Sequence, residues 1–351
     1  MKIGLVLHGP EVIDTKKAAS ILSYLRKKGE VEARLGGTMG AAAVFDAGME
    51  AEIQIRRELV STALKDMARY LDILYIASCG KTRKSGLAFG KIAVERARIN
   101  PVRPLIQIDD GFVVVWNEEG RERAKEDAQA LGHDLIDCSH RSGTEGGDWR
   151  KVHGVQRGEN VWINGFVIGK AISDEVWVGS ENGVLVLKGI DIKQHGIEKL
   201  GNVDPMKAVI RSGSVRRTSG PNRAGKLDEG NKVILVDHEA EESYFRARGA
   251  KAAVTVGDDT TCITGSLLYR LGVPVVGIVD DDEDGICKER TAAPGSLVIT
   301  LNPGNDDLVG LMVKEKIFGG RQEIDTDMGV LELEAIILRL CDGRIKRVRR
   351  F

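Results

Sequence analysis

The residues best placed to do chemistry in this chain are carboxylates at the ends of apolar runs. Val233-Ile234-Leu235-Val236 leads into Asp237, with Glu239 two residues on, and Val254-Thr255-Val256 leads through Gly257 into Asp258 and Asp259. Val275-Val276-Gly277-Ile278-Val279 leads into Asp280-Asp281-Asp282-Glu283-Asp284-Gly285. Helix-length segments separate the runs, which is the pattern of a parallel sheet with acids along its carboxyl edge, where open α/β sheets bind their ligands. Acids gathered there repel one another unless a cation, a proton or solvent separates them. Magnesium suits such a place, because it is a hard ion held by one or two carboxylates, waters and substrate phosphates. The expected metal ligands are Asp280, Asp282, Asp284, Asp258 and Asp259, and Glu239 or Asp237 is the candidate base or further ligand. The competing reading makes Asp258 a helix cap and Asp281, Glu283 and Asp284 solvated turn residues.

Two familiar motifs fail on their spacing. Asp280-x-Asp282-x-Asp284-Gly285 opens like a calcium-binding EF-hand loop, but the twelfth position, which needs a bidentate Glu, is Thr291. Gly80-Lys81-Thr82 follows a strand and precedes a helix, but the P-loop needs a glycine five residues before Gly80, where Tyr75 stands. A weaker anion-binding reading survives. The backbone of a glycine loop, Lys81 and the hydroxyls of Thr82 and Ser85 near a helix start suit a phosphate, as does the second loop Gly36-Gly37-Thr38-Met39-Gly40. A plain loop and N-cap would look the same, and His8 on a neighbouring loop could join such a site or be structural.

The elements that must position these residues follow from periodicity. Residues 1–8, 31–35, 73–77, 105–108 and 135–137 read as strands. Ala18, Ile21, Leu22 and Leu25 lie on one helical face, amphipathic helices are expected near 53–71 and 118–131, and alternation of this kind predicts a doubly wound parallel sheet over residues 1–142. From 161 to 192 the period changes to two, with short runs broken by Asn-Gly and Gly, so 150–211 reads as a small antiparallel β unit. Trp162 and Trp177 fit either a weak internal repeat or a pair of strands from one sheet. Residues 212–230 are basic and rich in Ser and Gly, which suggests a solvated, mobile linker or, less favoured, an arm that meets phosphates. Residues 231–351 form a third, parallel α/β unit. Within it 331–340 reads as helix or strand, and 341–344 as a hairpin turn into a basic edge strand at 345–350.

Composition narrows the class. The 351 residues carry a formal net charge of −1, so nothing global points to nucleic acid or a membrane surface, and the 42 glycines imply many tight turns or close approaches. No apolar run approaches the ~20 residues of a membrane span, and the N-terminal run is too short for a signal peptide, so a cytoplasmic setting is expected. The 5 cysteines are widely spaced and read as buried thiols, not as a zinc site or a disulfide framework.

Two resemblances add to this. Residues 232–302 resemble the toprim domain of primases, topoisomerases and some nucleases, in which a Glu after the first strand and an Asp-x-Asp after the third bind magnesium and act on phosphoesters. Here Asp237-His238-Glu239-Ala240 stands where that family has Glu followed by Gly, so Glu239 is the candidate substitute. Across nearly the whole chain, His8-Gly9-Pro10-Glu11, Gly37-Thr38-Met39-Gly40, Gly80-Lys81-Thr82 with Ser85-Gly86, Gly257-Asp258-Asp259-Thr260-Thr261 and the acid run resemble an uncharacterised family from methanogenic archaea, which brings no activity with it. The expectation is a magnesium-dependent enzyme acting on a phosphate-bearing, nucleotide-like substrate. The alternative is a non-catalytic regulatory protein that binds a metabolite or nucleotide, and nucleic acid is a lesser possibility carried by the basic linker and tail.

Overall fold

The computed structural model describes residues 1–37, 40–140, 149–181, 183–214, 216–218, 223–227, 230–237, 240, 243–281 and 291–351. Thr38, Glu239, Asp282 and Asp284 lie outside them. The chain divides into two compact units, Met1–Gly220 and Pro221–Phe351. Among the described residues no helix is long and apolar enough to cross a membrane.

The first unit is built on seven strands: β1 (Lys2–His8), β2 (Glu30–Gly36), β3 (Gln54–Ile55), β4 (Ile73–Ala77), β5 (Leu105–Asp109), β6 (Phe112–Val115) and β7 (Asp134–Asp137). Their order is β3-β2-β1-β4-β5-β6-β7, parallel except where β5 turns back into β6. That hairpin departs from the expected strand–helix alternation. Asp109 pairs with Phe112, leaving the two-residue turn Asp110-Gly111 with Gly111 at φ +78, and Asp-Gly is the dipeptide such tight turns favour. The helix Lys17–Arg26 buries Ala18, Ile21, Leu22 and Leu25, as its spacing requires. On one sheet face Val6, Leu74, Ile76 and Leu105 pack against helices Val60–Met67 and Arg83–Ala97 through Ala63, Leu64, Met67 and Ala93. The long helix expected near 53–71 is shorter because residues 54–55 extend as β3.

The same unit includes two small sheets. One has the order β13-β10-β9-β14 and the other β12-β11-β8, from β8 (Trp149–Lys151), β9 (Asn160–Ile163), β10 (Phe166–Ala171), β11 (Trp177–Glu181), β12 (Val184–Lys188), β13 (Ile190–Ile192) and β14 (Ile210–Ser212). They share one apolar core that includes Val161, Ile163, Ile168, Val176 and Val178. Asn164 at φ 50 and Gly165 at φ 90 turn β9 into β10. Trp162 and Trp177 fall in different sheets.

The second unit has one six-stranded sheet of order β19-β15-β16-β17-β18-β20, formed by β15 (Lys232–Asp237), β16 (Ala250–Val256), β17 (Val275–Val279), β18 (Leu297–Leu301), β19 (Glu323–Asp325) and β20 (Ile345–Arg350). The four central strands are parallel and both edges antiparallel. Nearly continuous Val, Ile and Ala in β15 to β17 match a sheet covered on both faces. Helices Asp306–Lys316 and Val330–Leu340 cover one face through Val309, Val313, Leu333 and Ile337, and helix Asp258–Tyr269 covers the other through Leu268. Residues 341–344 therefore turn a helix, not a strand, into β20. The exposed basic edge at β20 discourages pairing with a further strand.

Candidate functional sites at two sheet edges

In the second unit the parallel register aligns the carboxyl ends of β15, β16 and β17, since Asp237 pairs with Val256 and Val256 with Ile278. Gly257, at φ +93, swings the chain from β16 into helix Asp258–Tyr269, a backbone angle that favours glycine. Asp258 and Asp259 occupy that helix's first turn, where the dipole favours negative charge. The helix start comes close to β17 because residue 277 lacks a side chain. A Cβ there would lie 2.4 Å from Thr261 Cγ2.

This approach joins two of the expected ligands. The Asp280 amide donates to Asp258 Oδ2 at 3.0 Å. Asp280 is only 5% exposed, and its Oδ2 accepts from the Gly304 amide at 2.5 Å. Its Oδ1 is buried and has no hydrogen-bond partner among the described residues. Asp237 is exposed at the same edge and Asp259 partly so. Asp281, at φ 65, instead meets the basic tail, with Lys346 Nζ at 2.8 Å and Arg347 Nη2 at 3.3 Å. Among the described residues no three His, Cys, Asp or Glu side chains form a metal-holding group.

In the first unit the expected phosphate donors have internal partners. The Gly37 amide donates to Glu58 O at 2.8 Å, and the Gly80 amide to Asp109 Oδ1 at 3.0 Å. Lys81 Nζ donates to both Glu159 oxygens at 2.8 and 2.7 Å and to Ser212 O at 3.0 Å. Thr82 caps helix Arg83–Ala97 in a reciprocal capping box with Ser85. Gly36 lies against Val60, and Gly40 lies over Leu35 and Gly9 O.

Several groups on this edge carry little sequence signal. Asp109, 3% exposed at the end of β5, accepts from Ser78 Oγ, the Gly80 and Asp110 amides and Gln107 Nε2. It obeys the same strand-then-acid pattern as the later acids, and that pattern could have found it. Arg216 could not be found this way, because its partners are about two hundred residues away. Its Nε and Nη2 donate to Asp14 at 2.8 and 2.5 Å, and its Nη1 to Asp46 at 2.7 Å. These carboxylates hold the guanidinium firmly protonated, against the effect of burial. Thr218 Oγ1 also donates to Asp14, and Arg217 pairs with Glu11 at 3.0 Å. Residues 216–218 are thus a strap bound to the first unit, where the sequence suggests a solvated linker. A surface cleft lined by Ser180, Gly183, Asn202, Val203, Asp204 and Pro205 shares no residue with either edge.

Comparison with known proteins gives kinship without chemistry. No solved structure matches, so no structural neighbour stands behind the toprim resemblance. The chain is 41% identical over 336 residues, 90% of its length and 92% of the relative's, to the uncharacterised protein MJ0065 of Methanocaldococcus jannaschii. Residues 5–321 match the family described as uncharacterised proteins conserved in archaea (DUF2117). With nine-tenths of the chain aligned on both counts, the protein belongs to that archaeal family.

Proposed function

We propose that the protein is a magnesium-dependent enzyme acting on a phosphate-bearing, nucleotide-like substrate, with the metal at the carboxyl edge of β15 to β17. The observation that supports this is Asp280 Oδ1, a buried carboxylate oxygen without a hydrogen bond among the described residues, beside a second carboxylate, Asp258. Leaving such an atom unsatisfied costs roughly 1–3 kcal/mol or more, which a hard cation would recover. Asp280 and Asp258 would hold the ion, with Asp282, Asp284 and Asp259 as further ligands and Glu239 or Asp237 as base. Two firm carboxylates are enough for magnesium when water and substrate phosphates complete its shell. When bound, the ion would polarise a phosphoryl oxygen and offset its charge. The chain's own part is to hold Asp280 rigid through the Gly304 amide and to keep Asp258 against the Asp280 amide.

The test is thermal unfolding in a magnesium titration. At ten times Kd the second unit gains about 1.4 kcal/mol, or roughly 4 to 8 °C. Asp280→Asn should abolish that gain. A wild-type chain whose transition stays fixed up to about ten millimolar magnesium would remove the reading, whatever the variant does. A saturable gain with no turnover of phosphate esters would favour the regulatory alternative.

A further inference from the structure

One sheet edge in the first unit lacks the defences that β20 gives the second. β12, Val184-Leu185-Val186-Leu187-Lys188, ends its three-stranded sheet, with β11 on one side and no strand on the other among the described residues. Edge strands are ordinarily guarded by charge, proline or a bulge, because their unpaired backbone invites another chain. In β20 four of the six residues are Lys or Arg. In β12 four of the five are apolar, the register with β11 is unbroken, and Val184 is 64% exposed. The one charge on the strand leans away from the edge. Lys188 Nζ lies 3.7 Å over the centre of the Trp149 ring, and Trp149 belongs to β8, on the far side of β11.

Hydrogen-bond alternation fixes which groups the edge offers. Just before β11, Val176 O accepts from the Val152 amide at 2.9 Å, so Val176 faces the β8 side, and so do Val178 and Ser180 by alternation. Trp177, Gly179 and Glu181 therefore bond to β12, where their partners are Lys188, Val186 and Val184. The backbone N–H and C=O of Leu185 and Leu187 point outward. Gly189 O, two residues on, points the same way and accepts from the Ile172 amide at 2.9 Å. The side chains of Leu185 and Leu187 pack against the core of the small sheets, while Val184 and Val186 stand on the opposite face.

We propose that β12 pairs with β12 of a second copy of the chain, antiparallel about a two-fold axis through Val186. Leu185 of each copy then exchanges backbone hydrogen bonds with Leu187 of the other, and Val186 meets Val186 in the closer, non-hydrogen-bonded kind of pair. The strand suits a copy of itself, because its outward groups flank Val186 symmetrically, as a two-fold interface requires. Charge selects the same arrangement. Antiparallel pairing carries the two Lys188 side chains to opposite ends, each across from Val184, with Glu181 next in line on β11. Parallel pairing would set Lys188 beside Lys188, and like charges directly opposite are unfavourable. A short strand pairing covers less than the ~1,200 Å² of a tight interface, so a dissociation constant of about 1 to 100 µM is expected.

The experiment is sedimentation velocity of the full chain from about 1 to about 500 µM, a range that brackets the expected constant. The wild type should pass reversibly from monomer to dimer. Val186→Lys sets two ammonium groups against each other at the two-fold axis and should weaken the dimer about tenfold or more. Val186→Glu should do the same, and an equimolar mixture of the two variants should recover dimer, because the axis then joins opposite charges. Circular dichroism reports whether each variant is folded. Should Val186→Lys fail to fold, Val184→Lys at the exposed end of the strand reads the same contact, since it faces Lys188 of the second copy. A wild-type chain that stays monomeric at about 500 µM overturns the proposal. So does a dimer that a folded lysine variant leaves at full strength, or one that the Lys and Glu mixture fails to restore.

Discussion

Arg216→Met tests whether residues 216–218 are a strap or a linker. The Arg216 side chain is 8% exposed, and those of Asp14 and Asp46 are 4% and 0% exposed. Methionine fills much of the same volume but leaves two buried carboxylates without their shared counter-charge. Breaking a buried pair from one side costs about 3–5 kcal/mol, because the remaining charge is stranded in low dielectric. For a unit of this size that lowers the melting temperature by roughly 6 to 20 °C. A residue in a solvated linker would cost within about 0.5 kcal/mol. Urea unfolding near pH 7, followed by the first unit's transition, measures the difference. Adding Asp14→Asn and Asp46→Asn to Arg216→Met should recover part of the loss, since neutral amides do not strand a charge. A loss below about 1 kcal/mol in the single variant would refute the strap.

Two other outcomes follow from particular contacts. In Gly36→Ala the new methyl would meet Val60 Cγ2 at 2.4 Å and Val60 Cα at 2.8 Å, and backbone cannot give way as a side-chain tip can, so a loss of about 1–3 kcal/mol is expected in denaturant midpoints. His8, with its folded pKa below the unfolded value of about 6.5, should destabilise the chain as pH falls through that value, because only the unfolded state takes up the proton there. His8→Gln should remove that part of the slope between pH 7.5 and 5.5, and an identical slope in both proteins would exclude burial of a neutral His8.

Much of the scaffold is legible in residue order. Runs such as Ile73–Ala77 and Val275–Val279 are fully buried strands, and the i, i+3, i+4 spacing of Ala18, Ile21 and Leu22 is enough for a helix. The hairpin at Asp110-Gly111 is obscured because Phe112–Val115 is as apolar as a parallel strand, and only the Asp-Gly pair marks the reversal. At the sites, acids at strand ends are visible because a continuous apolar run stops where they begin. Contacts such as Lys81 with Glu159 and Arg216 with Asp14 are not, because they depend on distant segments meeting and nothing local marks either partner. Local pattern therefore shows which side chains reach an edge, but not which are already engaged there.

The strap also decides where the first unit can be cut. A fragment ending at residue 142, or at 211 after the small sheets, would keep every strand of the large sheet, yet Asp14 and Asp46 would face each other without Arg216. Ending at 211 would also remove Ser212, which accepts from Lys81, and Gly213, which holds the Trp162 indole. The smallest piece that carries its own counter-charges runs through Thr218, so the chain's folding unit closes some eighty residues beyond the last strand of its large sheet, which ends at Asp137.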